Sequence, residues 1–308
     1  MIVAVRAVEF SVTDIERSTQ FYGGAFALEA VGEFQGARYF RASGPDQYVL
    51  VLRSGEVPGI ASVELSVTDR AGVDTLLGRL ARRGRITSAA SLLDTPGGGY
   101  GFSLIDGGGR HWRFACDVEP HAKSFPAVDR PFKLSHVVLN TANIAQDVAF
   151  AVEDLGFRVR DESRAMVFLG CNADHHSLAF AKAANVTLNH VAFEVPTIDA
   201  LMRGAGRMKR TGFPMQWGVG RHGPGANVYS YFLDPDGIPV EYTTDIMQVD
   251  DTTYQPGTPA DWERPPFYDA WGLSEPPTQA FLEASSGLRP MPALASTTSE
   301  WRSSWRTV

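Results

Sequence analysis

Short apolar runs with polar positions at every second or every third to fourth residue, broken by 30 glycines and 19 prolines, predict strands and helices joined by many turns rather than a bundle. Val5-Arg-Ala-Val-Glu-Phe-Ser-Val-Thr-Asp-Ile15 has the β-branched, alternating character of a strand and leads into a helix-like Glu16–Tyr22. The same plan returns at Leu134-Ser-His-Val-Val-Leu-Asn-Thr-Ala-Asn-Ile144, followed by a helical Ala145–Leu155 that Gly156 closes. Ile15 and Ile144 correspond at an offset of 129 residues. Two further copies start at Ala61–Val67 and Asn189–Val195, offset by 128, each followed by an amphipathic stretch, Gly72 to Arg83 and Ile198 to Thr211. Further β-rich runs, 37–42 and 48–52 in one half and 165–170 and 177–181 in the other, complete four strand-helix-strands modules.

The fold class expected is therefore α+β, with four modules paired into two similar domains, 1–118 and 132–246. A proline-bearing connector, Glu119 to Pro131, joins them. From Asp250 the chain turns to repeated Pro, Trp and Ser with little periodicity. Residues 250–308 read as a tail draped on the body and disordered after about Ser285.

Composition narrows the function. A chain of 308 residues with 44% hydrophobic and 20% charged residues has material for one large core or two ordinary ones. Its net charge is −7 and its 28 Lys+Arg are scattered, so nucleic acid is dropped as a partner. No basic leader precedes an apolar run and no stretch of about eighteen apolar residues occurs, which argues against export and membrane insertion. Two cysteines, Cys116 and Cys171, without CxxC spacing, fit a reducing compartment. The expectation is a soluble cytoplasmic protein.

Five of the seven histidines, His136, His175, His176, His190 and His222, lie in the second half. His136 is central in the first strand of the third module, and His190 holds the equivalent early position in the fourth. Pairing of the modules would face them together. Glu241, in a final strand Gly237–Thr243, lies on the opposite face from Val240 and Tyr242. Two neutral imidazoles and one carboxylate leave open positions on a divalent ion, an arrangement typical of non-haem Fe(II) oxygenases. The plainer alternative is two buried, hydrogen-bonded histidines and an edge glutamate. The first-half counterparts are read as Ala7, Ser62 and about His111, so the fold itself does not require the three.

These residues resemble the type I extradiol ring-cleavage dioxygenases of the vicinal oxygen chelate (glyoxalase/bleomycin resistance/dioxygenase) superfamily. The resemblance covers essentially residues 1–246 and is most specific between Leu134 and Tyr242. Leu-Ser-His136, Asn-His190-Val-Ala-Phe and Pro-Val-Glu241-Tyr match its metal motifs, at separations of 54 and 51 residues. The family's fold is two domains of paired βαβββ modules, each an open, incomplete barrel, with metal in the C-terminal domain only. The resemblance implies that His136, His190 and Glu241 hold Fe(II), with Mn(II) also permitted by the ligand set. Within Cys171-Asn-Ala-Asp-His-His-Ser-Leu-Ala-Phe180, His175 aligns with the family's acid/base histidine. On a strand His175 and His176 point to opposite faces, so only one can look into the metal pocket, which leaves His176 to packing or a solvent-facing strand position. The resemblance further implies that His222 hydrogen-bonds the substrate hydroxyl that loses its proton and that Tyr231 orients the other substrate oxygen. Met166, Phe168, Phe180, Trp217 and Phe232 are apolar wall candidates.

The implied reaction is cleavage of a substituted or fused-ring catechol by O2 outside the two hydroxyls, in aromatic-compound catabolism, by an enzyme expected to be a homo-oligomer. One departure stands out: Gly225 occupies the position where biphenyl-type members carry an acidic residue. Two other readings remain on the same scaffold, a metal-dependent isomerase or transferase and a small-molecule-binding protein that does not turn over. Gly218-Val-Gly-Arg-His-Gly223 formally fits a dinucleotide loop, but Pro224 and Gly225 follow where the helix should begin. Asp234-Pro-Asp-Gly237 reads as a β-turn rather than a calcium loop.

Overall fold

The computed structural model describes residues 1–82, 86–87, 89–122, 128–262 and 269–287. The first half contains β1 (Ile2–Val12), α1 (Ile15–Gln20), β2 (Glu29–Phe34), β3 (Ala37–Arg41), β4 (Leu50–Ser54) and β5 (Gly59–Val67). It continues through α2 (Arg70–Arg82), β6 (Ile86–Thr87), β7 (Ser91–Leu92), β8 (Tyr100–Ile105) and β9 (His111–Cys116). The second half repeats the order in β10 (Lys133–Thr141), α3 (Ile144–Ala149), β11 (Arg158–Glu162), β12 (Met166–Gly170), β13 (Leu178–Lys182) and β14 (Thr187–Glu194). It ends with α4 (Ile198–Arg210), β15 (Trp217–Arg221), β16 (Val228–Leu233) and β17 (Pro239–Thr244). Each half is one open mixed sheet, ordered β2-β3-β4-β1-β5-β9-β8-β6 in the first and β11-β12-β13-β10-β14-β17-β16-β15 in the second, with β7 also paired to β8. These are paired βαβββ modules, as the repeat offsets require.

Local chemistry sets the helix boundaries. Asp14, Asn143 and Thr197 cap α1, α3 and α4, each side chain accepting a backbone N–H of the first turn. In both halves the first helix widens into a π-helical turn, Phe21–Ala25 and Phe150–Leu155, and Gly156 closes the second at φ 83°. The two imperfect copies are sealed together by a shared apolar core. Phe26 stacks on Tyr242 at 4.4 Å between ring centroids, the Tyr242 hydroxyl donates to the Phe26 carbonyl (2.7 Å), and Tyr22 donates to Asp234 (2.9 Å).

Alternation then decides what faces the concave side of the second sheet. On β10, β14 and β17, Val137, Leu139, Val191, Phe193, Val240 and Tyr242 enter the core. Residues of the other parity, His136, His190 and Glu241 among them, line the cup, yet they too are buried. The Asp234–Gly237 segment is a turn, Gly237 N–H donating to the Asp234 carbonyl at 2.9 Å. The tail gains a helix the sequence pattern did not announce, α5 (Gln279–Ser285), capped by Thr278. The expected disorder beyond about Ser285 concerns mainly residues 288–308, which lie outside the described residues. Among the described residues no helix is long and apolar enough to cross a membrane.

Candidate metal centre

Three strands bring three donors to one point. Ala192 on β14 is registered with both His136 on β10 and Glu241 on β17, and His190 lies two residues earlier on the same face. One ligand atom from each of His136, His190 and Glu241 lies within 4.8 Å of the other two, and all three residues are buried. Glu241 Oε2 stands 3.3 Å from His136 Nε2 and 3.2 Å from His190 Nε2, yet makes no hydrogen bond with either. A buried carboxylate oxygen in that state costs on the order of 1–3 kcal/mol or more unless something else neutralises it. The donor set therefore fits a divalent cation among the three tips.

The surroundings fix which nitrogen each imidazole presents. Asn189 donates its amide to Ser285 O and Asn140 Oδ1, both at 3.1 Å, so its Oδ1 accepts from His190 Nδ1–H (2.8 Å) and Nε2 is left for the centre. Ser135 Oγ lies 3.2 Å from His136 Nδ1, and the other ring nitrogen, Nε2, is the one that faces Glu241. Asn227 donates to Glu241 Oε1 at 3.3 Å and to Thr243 at 2.8 Å. Burial alone would raise the Glu241 carboxyl, but the two imidazoles hold it well below the ordinary carboxylate range. Burial lowers His190, against the pull of Glu241. The site is a carboxylate between two imidazoles, and it is in their neutral form that such rings bind metal.

Two further groups flank the triad. On one side His222 Nε2 meets the Tyr231 hydroxyl at 2.8 Å, and Tyr231 packs 5.1 Å from the His190 ring and is registered with Glu241. Burial pushes His222 down to about 4, opposed by Glu241, and pushes Tyr231 well above its usual range. On the other side is a histidine, but not the one the sequence reading selected. His175 and His176 precede β13 instead of lying on it, so strand alternation does not govern them. His176 faces His136 with ring centroids 4.4 Å apart and rests on Phe168 at 5.1 Å. The His175 ring turns the other way: its Nε2 lies 3.0 Å from both Asp161 Oδ2 and the Tyr254 hydroxyl. His176, read from sequence as packing, is thus the one beside the triad.

The apolar wall also needs correcting. Trp217 stacks on Tyr231 at 5.2 Å and Phe168 contacts both histidines, whereas Phe180 and Phe232 belong to the main core. The tail helix supplies a wall residue the sequence did not signal, Phe281, at 5.0 Å from Tyr231. Asp161, Tyr254 and Asn227 were likewise invisible, because their partners are distant in sequence. Asn189 had a signal, its adjacency to His190. In the first half the registers make Ala7 and Ser62 the counterparts of His136 and His190. The counterpart of Glu241 is Arg113, not His111, since Glu64 pairs with Arg113 as Ala192 pairs with Glu241.

Residues 133–242 match the model of the Glyoxalase/Bleomycin resistance protein/Dioxygenase superfamily. Metapyrocatechase 2 of Cupriavidus necator is 36% identical over 119 residues, 38% of this chain and 37% of that protein. An iron-dependent extradiol dioxygenase of Rhodococcus jostii (strain RHA1) is 29% identical over 153 residues, 44% of this chain and 50% of its own length. The chain thus spans half or less of these curated relatives. Among solved structures, the Mn(II)-bound glyoxalase from Novosphingobium aromaticivorans is 34% identical, covers 95% of each chain and superposes with a TM-score of 0.85. With a cup of two imidazoles and a carboxylate in its second sheet, and a likeness to that protein over nearly its full length, this chain belongs to the Glyoxalase/Bleomycin resistance protein/Dioxygenase superfamily.

Proposed function

We propose that the protein is an extradiol dioxygenase that opens a catechol-type ring with O2 at a mononuclear Fe(II) centre held by His136, His190 and Glu241. The observation that carries the reading is the placement of His176 on one side of the triad and the His222–Tyr231 pair on the other. When bound, the metal supplies a positive, redox-active centre with open positions for two vicinal oxygens and for O2. The chain's own residues do the rest. Neutral His222 accepts a proton from one diol hydroxyl, while the Tyr231 hydroxyl holds the other oxygen and fixes the ring's direction. His176, kept neutral by burial and by the imidazoles around it, exchanges a proton on the opposite side. Phe168, Trp217 and Phe281 exclude water. His175, given the acid/base role in the sequence reading, does not take it.

The full-length likeness to a Mn(II)-bound glyoxalase favours a second reading, a metal-dependent isomerase that needs no O2. The first half weighs against it. Its counterpart positions hold Ala7, Ser62 and Arg113, so all three ligands come from one domain. Among the described residues this is the only cluster of three such donors. The deciding experiment loads the protein anaerobically with Fe(II) or Mn(II). It is then offered catechol, methylcatechols, dihydroxybiphenyl, dihydroxynaphthalene and trihydroxytoluene in an oxygen electrode. Stoichiometric O2 uptake with a yellow ring-opened product is expected. Absence of uptake with every diol, together with anaerobic conversion of a thiol–aldehyde adduct, would transfer the assignment to the isomerase.

A further inference from the structure

The side chain next to the triad is controlled from behind by a buried network that the reaction itself does not require. His175 Nδ1 and His176 Nδ1 lie 3.0 Å apart, so one must donate and the other accept. Which does which is fixed at the far end. Asp161 Oδ1 is taken by two donors, the Gly257 N–H at 2.6 Å and the Tyr254 hydroxyl at 2.9 Å. Its Oδ2 faces His175 Nε2 at 3.0 Å, in an environment where Asp161, His175 and His176 are all buried. A carboxylate oxygen accepts only, so the neutral ring of His175 carries its one proton on Nε2 and presents a bare Nδ1. His176 must then donate from Nδ1, which leaves its Nε2 lone pair as the free basic position.

We propose that Asp161, acting through His175, is a positioning residue that sets the tautomer of His176. Tyr254 and Gly257, both from the segment after β17, hold Asp161 in place, so the start of the tail has a structural part in the site. Gly225 belongs to the same device. A Cβ built there would lie 3.0 Å from His175 Nδ1 and from His176 Nδ1 and Cε1, and its φ of +74° is one that L side chains rarely adopt. The glycine that stands where an acidic residue was expected is thereby explained. It leaves room for two imidazoles to meet edge to edge.

The proposal deepens the reading of His176 as the proton-exchanging group, and its test does not depend on that reading. In Asp161→Asn the amide oxygen keeps Gly257 N–H and Tyr254, so the NH2 replaces Oδ2 and donates to His175 Nε2. Each step of the chain then inverts, and His176 presents Nε2–H in place of a lone pair. Long-range 1H–15N spectra of 15N-histidine-labelled, metal-free protein separate the two tautomers. The wild type is expected to show His175 as Nε2–H and His176 as Nδ1–H, and Asp161→Asn to show the reverse. With an active diol, kcat should fall at least about tenfold while KM and metal affinity change by less than about twofold. A wild-type His176 carrying Nε2–H, or an unaltered tautomer pair in folded Asp161→Asn, overturns the proposal. The wild-type spectrum decides by itself if the variant does not fold. Tautomers as stated in a protein that turns over no diol would sink the dioxygenase assignment and leave this proposal standing.

Discussion

The domain seam contains a carboxyl group whose ionisation should be measurable as stability. Asp234 opens the turn between β16 and β17 and is 4% exposed. It accepts the backbone N–H groups of Asp236 (2.9 Å) and Ile238 (2.7 Å) on Oδ1 and the Tyr22 hydroxyl of the other domain on Oδ2 (2.9 Å). Burial outweighs these donors and pushes its pKa from 3.8 up to about 7. A raised carboxyl pKa means the folded state binds the proton more tightly than the unfolded chain. The stabilisation this gives is complete below about pH 4 and is lost as pH rises through about 7. A shift of about three units corresponds to about 4 kcal/mol at most. Asp234→Asn mimics the neutral form, because its amide donates to Tyr22, whose hydroxyl turns to accept. Relative to wild type, the variant should gain up to about 4 kcal/mol between pH 4.5 and pH 8.5 in urea unfolding. Parallel pH profiles for the two proteins would refute the claim that Asp234 is neutral in the fold near pH 6.

Other expectations follow from single residues. Glu241→Gln and His190→Ala should each abolish tight Fe(II) or Mn(II) binding, read as metal content after gel filtration; full occupancy in both would refute the triad. Gly225→Ala should cost about 1–2 kcal/mol from the left-handed backbone alone and should disturb the His175–His176 contact. A melting temperature and kcat equal to wild type would show the close approach to be unimportant. Burial pushes the Cys171 thiol up to about 11, so Ellman's reagent at pH 7.5 should modify it about 100-fold more slowly than an unfolded control. Equal rates would contradict that burial.

The strand positions of the triad were legible in the sequence because period-two alternation and a duplicated plan fix both face and register. Val240 and Tyr242 go to the core and Glu241 to the cup, and no further information is needed to see it. His175 and His176 were misjudged for the complementary reason. They lie in an irregular segment before β13, where direction is set by Asp161, Tyr254 and Gly225, contacts from 14 residues upstream to about 80 downstream. The same holds for Phe281 and for the support that Ser285 gives Asn189. A segment without periodicity announces neither its helix nor what that helix touches. The offset of 128 residues that relates Asn189 to Ala61 carries Glu241 to Arg113, not to His111, and the pairing along β5 and β9 puts Arg113 in that place.

That correction bears on why the second cup is suited to a metal and the first is not. Each cup buries a carboxylate, and the desolvation cost of that charge is offset where a cation stands beside it. In the second half Glu241 lies between His136 and His190, the latter lowered by burial, and among the described residues no guanidinium or ammonium group pairs with it, so a metal ion from solution fits there. In the first half Glu64 is enclosed by guanidinium groups of the chain itself. Arg6 Nε donates to it at 2.8 Å, Arg113 Nε stands 3.4 Å away, and Tyr48 donates at 3.1 Å. Tyr48 is registered where His176 stands in the other copy, two residues ahead of the paired Leu50 and Leu178. Burial would raise Glu64, but Arg6 and Arg113 bring it below its ordinary value. The two copies thus face the same electrostatic demand, which fixed arginines meet in one and which, on the proposed function, an exchangeable ion meets in the other. Loading should therefore saturate at one metal per chain, as read by elemental analysis, and Glu241→Gln should remove that one. A second tight equivalent surviving in Glu241→Gln would place a metal in the arginine-filled cup and refute the argument.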